Sequence, residues 1–173
     1  MKKLILLFAI AGLMAFTHVN AQAPDPDTTT RHFIIMASIG GLQEISSGQL
    51  AAQKATMPEI RSFGKMMVAD HSKAQDKLMQ LAKAKGYDIP KEATSDIMAD
   101  LKMKNASPTE FDRLYVHSML VDHRTTVKMF ENYMITGKDP DIKAYVEQTL
   151  PTLKEHLAEI KAIDEKIKYM AAN

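Results

Sequence analysis

Residues 141–170 read DIKAYVEQTLPTLKEHLAEIKAIDEKIKYM. Ile142, Val146, Thr149, Leu153, His156, Ile160, Ile163, Ile167 and Met170 follow one another in steps of three and four, which puts them on one stripe of an α-helix. Asp139-Pro140 opens this helix, since proline is tolerated in a first turn where its missing amide has no partner to lose. Pro151 lies inside it and frees the carbonyl of Glu147, so a kink is expected there. A helix with a single apolar stripe must bury that stripe against other elements, and the rest of the chain supplies them.

Working upstream, Ser107-Pro108 with Glu110 reads as a capped start, and Gly137 as the stop of another helix. Its stripe is Val116, Leu120, His123, Val127, Phe130 and Met134. Pro58 and Gly86 bracket a further one, with Ile60, Gly64, Met67, His71, Ala74, Leu78 and Leu81 in register. The first helix follows Asp27 and the threonines 28–30 and runs to about Ala55, with Phe33, Ala37, Gly40, Glu44, Ser47 and Ala51 as a stripe of mostly small residues. The expected fold is all-α: a single four-helix bundle over residues 31–170. The 20 residues from Tyr87 to Ala106 carry a short extra helix around Ser95 to Lys102. They are long enough to cross a bundle about 40 Å tall at ~3.3 Å per extended residue. A ferritin-type crossover and a folded-back up-down bundle both fit that length.

Composition agrees. Of 173 residues, 46% are hydrophobic and 25% charged, while only 6% are aromatic, a balance that favours helices over a β-sandwich. The formal net charge of +1 gives no electrostatic case for a nucleic-acid partner. With no cysteine there is no disulfide, thiolate metal site or cysteine nucleophile. Lys2, Lys3, the apolar run Leu4–Phe16 and Val19-Asn20-Ala21 have the order of a secretory signal, so residues 1–21 are expected to be removed and 22–30 to form a flexible leader. The apolar run is shorter than the ~20 residues of a membrane span, and no later stretch replaces it. The mature chain is therefore expected in the periplasm or secreted, with no transmembrane segment.

Four polar residues interrupt the apolar stripes, and each lies near the midpoint of its helix: Glu44, His71, His123 and His156. Midpoints of antiparallel helices share one height, so one carboxylate and three imidazoles are expected in one layer. That donor set suits a transition metal, with Zn, Fe, Mn and Cu as the candidates. A metal-free Glu–His hydrogen-bond network that fixes helix register accounts for the same residues. A di-iron carboxylate centre does not fit, because Val68, Leu120 and Leu153 stand three residues before the histidines where Glu-x-x-His pairs would need glutamates. Asp70 and Asp122 each precede a histidine and point ~100° away from it, which makes them partners behind the ligands rather than ligands. His32 and His117 fall off the stripes and are assigned to the surface. The 13 methionines follow the stripes or are scattered and read as core filler, although thioethers also bind Cu(I). No nucleophile paired with a base and no phosphate loop is visible, so the chain names no substrate and no reaction, nor any protein partner.

Gly41-Leu42-Gln43-Glu44-Ile45 with Gly48-Gln49-Leu50-Ala51, Met67 to His71, Phe111-Asp112 with His123, and Leu150-Pro151 with His156 together resemble the bacterial exported family called domain of unknown function 4142. The resemblance runs from about Arg31 to Ile163. It implies a ferritin-like helical bundle of no established activity, in which Glu44, Asp70, His71, His123 and His156 are signature positions. The carboxylate set of true ferritins is missing, which argues against ferroxidase chemistry and iron storage. Two functions are carried forward: an exported bundle binding one metal ion in a binding or stress-protective role, and a metal-free structural or interaction bundle.

Overall fold

A computed structural model describes residues 28–90 and 97–172. The expected signal segment and most of the leader lie outside the described residues. Five helices are described: α1 (Thr28–Lys54), α2 (Pro58–Ala84), α3 (Ile97–Asn105), α4 (Pro108–Thr136) and α5 (Pro140–Ala172). The four long ones form the bundle. Thr28 to Thr30, assigned above to the leader, already belong to α1, because Thr30 is buried and its hydroxyl bonds the Tyr133 hydroxyl at 2.7 Å.

The side-chain bonds at the two ends of the bundle fix its topology. Thr30 meets Tyr133 at one end of α1, and Thr56, just past the other end, meets Asp112 at the start of α4, so α1 and α4 are antiparallel. Lys85 bridges to Asp139 at 2.7 Å and Asp141 at 2.8 Å, while Glu59 at the opposite end of α2 pairs with Lys166, so α2 and α5 are antiparallel too. With α1 and α2 joined by a short turn, α2 and α4 must run the same way on a diagonal. The connection between them therefore travels the length of the bundle, as in the single-crossover bundles. It runs along α1: Ser38 donates to the Pro90 carbonyl at 3.3 Å, and Lys54 Nζ donates to the Lys104 carbonyl. This decides between the two topologies that the linker length left open.

Helix ends follow local chemistry. Gly86 takes φ +72°, the left-handed conformation that glycine adopts without a Cβ clash, and closes α2. Asp139 Oδ1 accepts the amides of Asp141 and Ile142 at 3.0 and 3.1 Å and starts α5. The capping box expected at Ser107 is absent, since its side chain makes no cap bond; Pro108, with φ preset and no amide to satisfy, starts α4 instead. Buried Asp112 accepts both backbone amides of Thr56 and Met57 and the Thr56 hydroxyl, which ties the α1–α2 turn to the first turn of α4.

Two features of the packing position the central layer. At the α1–α2 crossing Gly48 and Gly64 lie face to face, and a Cβ on either would stand 2.7 Å from the other's carbonyl oxygen. The two helices approach this closely because neither has a side chain there. The apolar core is in two parts. One contains Phe63, Met67, Phe111, Tyr115, Met119 and Ile160. The other contains Phe33, Leu78, Phe130, Tyr133, Ile142 and Val146. Between them sit Glu44, His71, His123 and His156, each no more than 5% exposed.

Candidate metal centre

All four polar residues of the stripes meet in one interior layer, one from each long helix. The three imidazoles are mutual neighbours, with ring centroids 5.4 to 5.7 Å apart. One ring nitrogen from each of His71, His123 and His156 lies within 4.8 Å of the others. Glu44 shares the layer but is turned toward two of the rings from behind: Oε2 is 3.1 Å from His71 Nδ1 and Oε1 is 3.3 Å from His123 Nδ1. His123 Nδ1 also lies 3.0 Å from the Met119 carbonyl, which is one helical turn back. His156 is held through its other nitrogen, Nε2, by Asp70 Oδ2 at 3.1 Å across the α2–α5 face.

Each ring thus has one engaged nitrogen and one orphan. His71 Nε2, His123 Nε2 and His156 Nδ1 are buried and have no hydrogen-bond partner among the described residues. Leaving a buried polar atom unsatisfied costs roughly 1–3 kcal/mol each, so an arrangement with three of them calls for something that accepts three lone pairs. The partners behind the rings set which lone pairs these are, because a nitrogen that donates to a carboxylate or carbonyl leaves the opposite nitrogen bare. Phe63 closes the layer on one side, its ring centroid 6.3 Å from those of both His123 and His156.

Of the other candidates, Asp70 reaches a histidine on the neighbouring helix rather than the one next to it in sequence. Asp122 is exposed and accepts a hydrogen bond from Ser118 at 3.0 Å rather than from one of the three layer histidines. His32 and His117 are exposed. One group that the sequence reading missed is Tyr115, fully buried two turns before His123 with its hydroxyl unsatisfied; burial and then the Glu44 charge push its ionisation well above the usual phenol range. Its spacing of eight residues, about two helical turns, before His123 was the available signal.

Burial dominates the electrostatics. It holds His71 down to about 3, with the neighbouring His123 and His156 adding to the effect, and it holds His123 down to about 4. It lowers His156 too, opposed by the Asp70 hydrogen bond. Glu44 is pushed up to about 8, by burial first and then by Asp122. The imidazoles of the metal-free protein are therefore neutral at pH 7, as ligation requires. The signs predict a stability profile. Unfolding lets the imidazoles take up protons below their ordinary 6.5, so their contribution is complete above that pH and is lost as the pH falls toward 4. Unfolding makes Glu44 release a proton between its ordinary 4.5 and about 8, so its contribution is complete below 4.5 and is lost as the pH rises to 8. Between 4.5 and 6.5 the imidazoles outnumber the carboxyl, and above 6.5 the carboxyl acts alone. Urea unfolding of the metal-free protein should then show maximal stability near pH 6.5, with a fall on the acid side of up to about 1.4 kcal/mol per pH unit for each net proton. A flat profile from pH 5 to 8 would contradict this electrostatic picture.

Fold and site together define a crossed-over four-helix bundle with a histidine layer across its centre. The sequence profile of one family, domain of unknown function (DUF4142), matches residues 15–163, and the chain belongs to that family. No curated protein sequence matches the chain. Among solved structures it is similar to CopM in its Cu(I)-bound form, with TM-score 0.65 and 18% identity over 79% of this chain and 95% of that one. It is likewise similar to CopM in an Ag-bound form obtained by co-crystallization, with TM-score 0.65, 18% identity and the same coverage. A DUF305 fragment from Deinococcus radiodurans gives TM-score 0.69 and 12% identity, over 81% of this chain and 97% of the fragment. At these identities the likeness is one of fold. Among the described residues no helix is long and apolar enough to cross a membrane.

Proposed function

We propose that the protein binds one transition-metal ion, with copper the first candidate, through His71 Nε2, His123 Nε2 and His156 Nδ1. Two observations carry this reading: each of the three histidines has a buried, partnerless ring nitrogen, and one ring nitrogen from each lies within 4.8 Å of the others. Bonds of ~2.0–2.1 Å to a trigonal ion would bring the nitrogens to about 3.5 Å from one another, a closure of about an ångström. Glu44, the Met119 carbonyl and Asp70 then act behind the ligands, on the far side of His71, His123 and His156 respectively, and keep the lone pairs aimed inward. This assigns Glu44 a supporting part rather than the fourth ligand position. An all-imidazole set favours copper or zinc over manganese, which prefers oxygen donors, and iron is the weaker fit without a carboxylate ligand. That CopM, a bundle of similar fold, has been solved with Cu(I), Cu(II) and Ag adds support for copper.

The rival reading, a metal-free polar network, is weaker because such a network satisfies its own members and this one leaves three nitrogens bare. Export to the periplasm, and a role in binding or buffering metal there, belong to the same proposal, with the signal-like residues 1–21 as their support. No catalytic role is proposed. The test is titration of metal-free protein with Cu(I), Ag(I) and Zn(II) against a competing chelator. One ion per chain is expected, with Cu(I) or Ag(I) bound more tightly than Zn(II). Absence of binding by all three at micromolar protein would end the proposal.

A further inference from the structure

The histidine layer is sealed on two faces of the bundle and open on a third. On the α1–α2 face the Gly48 and Gly64 backbones touch. On the α2–α5 face Asp70 lies over His156. Opposite that, between α1 and α4, a surface cleft of about 230 Å³ descends to Glu44, with Asp122 at its rim. A smaller cavity of about 20 Å³, room for roughly one water-sized particle, lies below it among all four long helices and reaches both Glu44 and His71. Met36, Gly40, Glu44, Thr126 and Met129 line both spaces, so the two adjoin.

From this adjacency we infer that the α1–α4 cleft is the entrance through which a small cation passes between solvent and the histidine layer. The inference rests on the metal-binding reading for its cargo, but the passage itself is a property of the fold. Gly40 keeps it open: a Cβ there meets nothing within 4 Å, so the width of the cleft at that level is space left by a missing side chain. The walls suit the cargo. Asp122 at the rim attracts a cation and repels an anion, and Glu44 at the floor offers oxygen donors. The thioethers of Met36 and Met129 between them offer weak, exchangeable contacts to a soft ion. Met36 is 42% exposed, an unusual place for a methionine that serves only as core filler.

The absence of cysteine allows a test that does not depend on metal. In a Thr126→Cys variant, a small neutral thiol reagent such as methyl methanethiosulfonate should label the new thiol readily, and adding Gly40→Phe should slow labelling at least about tenfold by filling the cleft. In the second arm, Gly40→Phe alone should slow both Ag(I) loading and Ag(I) removal by a chelator at least about tenfold, with the dissociation constant unchanged, whereas Gly40→Ala should exchange like the wild type. Gly40→Leu serves in both arms if circular dichroism shows that the phenylalanine variant has lost its helices. Labelling and exchange rates unaffected by a folded bulky variant would overturn the entrance, as would an altered affinity that accounts for the whole change in rate. If the wild type binds no metal, the metal-centre proposal fails, while the labelling arm still decides whether the passage exists.

Discussion

Replacing His123 with leucine should abolish the metal-dependent rise in melting temperature while leaving the metal-free protein at least as stable as the wild type. At free metal one hundred times the dissociation constant, the wild type should gain about 2.7 kcal/mol, because only the folded state binds. For a chain of this size that is a rise of roughly 5–10 °C. His123 is fully buried with an unsatisfied Nε2, so a leucine removes a ligand and an orphaned polar atom together. On the metal-binding proposal, stability and function are opposed at this position, as they are wherever a site keeps lone pairs bare for a ligand. A network that existed only to hold the helices in register would give the reverse result. The wild type would ignore metal, and His123→Leu would lose about 1–3 kcal/mol by stranding Glu44. Calorimetry of both proteins with and without Ag(I) or Zn(II) separates the two.

The second large effect is expected at the α1–α2 crossing. Gly64→Val should destabilise by about 3 kcal/mol or more, because its Cβ would stand 2.7 Å from the Gly48 carbonyl, 2.9 Å from Ala51 Cβ and 3.0 Å from the Ala52 amide. Two of those three atoms are backbone, so no rotamer change relieves the clash and the helices must separate. Glu44 sits one turn before Gly48, and His71 two turns after Gly64, so separation also draws Glu44 away from His71 and should weaken metal binding. Gly40→Ala is the contrast, with open space around its Cβ and an expected gain of about 0.5–1 kcal/mol from helix propensity. Chemical denaturation of both variants tests the pair; equal effects would mean that the glycine contact is not what sets the helix spacing.

The apolar stripes made the four helices and the common height of Glu44, His71, His123 and His156 readable from the sequence, because both follow from 3.6 residues per turn and from helix midpoints. The direction of the Glu44 carboxylate was not readable. Whether it meets an ion or the back of two imidazoles depends on a few ångströms, which periodicity cannot resolve. Asp70 and Asp122 occupy matching places beside a histidine, yet one reaches His156 and the other Ser118. What differs is the neighbouring helix, and adjacency in sequence carries no information about that. The topology was hidden for a related reason: a 20-residue linker fits both arrangements, and the deciding contacts, such as Lys85 with Asp139 and Thr56 with Asp112, join residues more than fifty positions apart. Small residues on the α1 stripe announced space beside the core. The structure uses that space in two opposite ways, closing it completely at Gly48 and leaving it open at Gly40.

The division of the core by the polar layer bears on how the molecule comes apart. Among the described residues Leu157 packs against both apolar clusters, and the polar layer lies between them. Each half alone is close to the size at which a hydrophobic core ceases to sustain a fold. The polar layer then couples the two halves, and an ion held by all three rings, as proposed, would act as a rivet through the middle of the bundle. With the rivet in place the halves open together or not at all; without it, the end that frays first is free to do so without its neighbour.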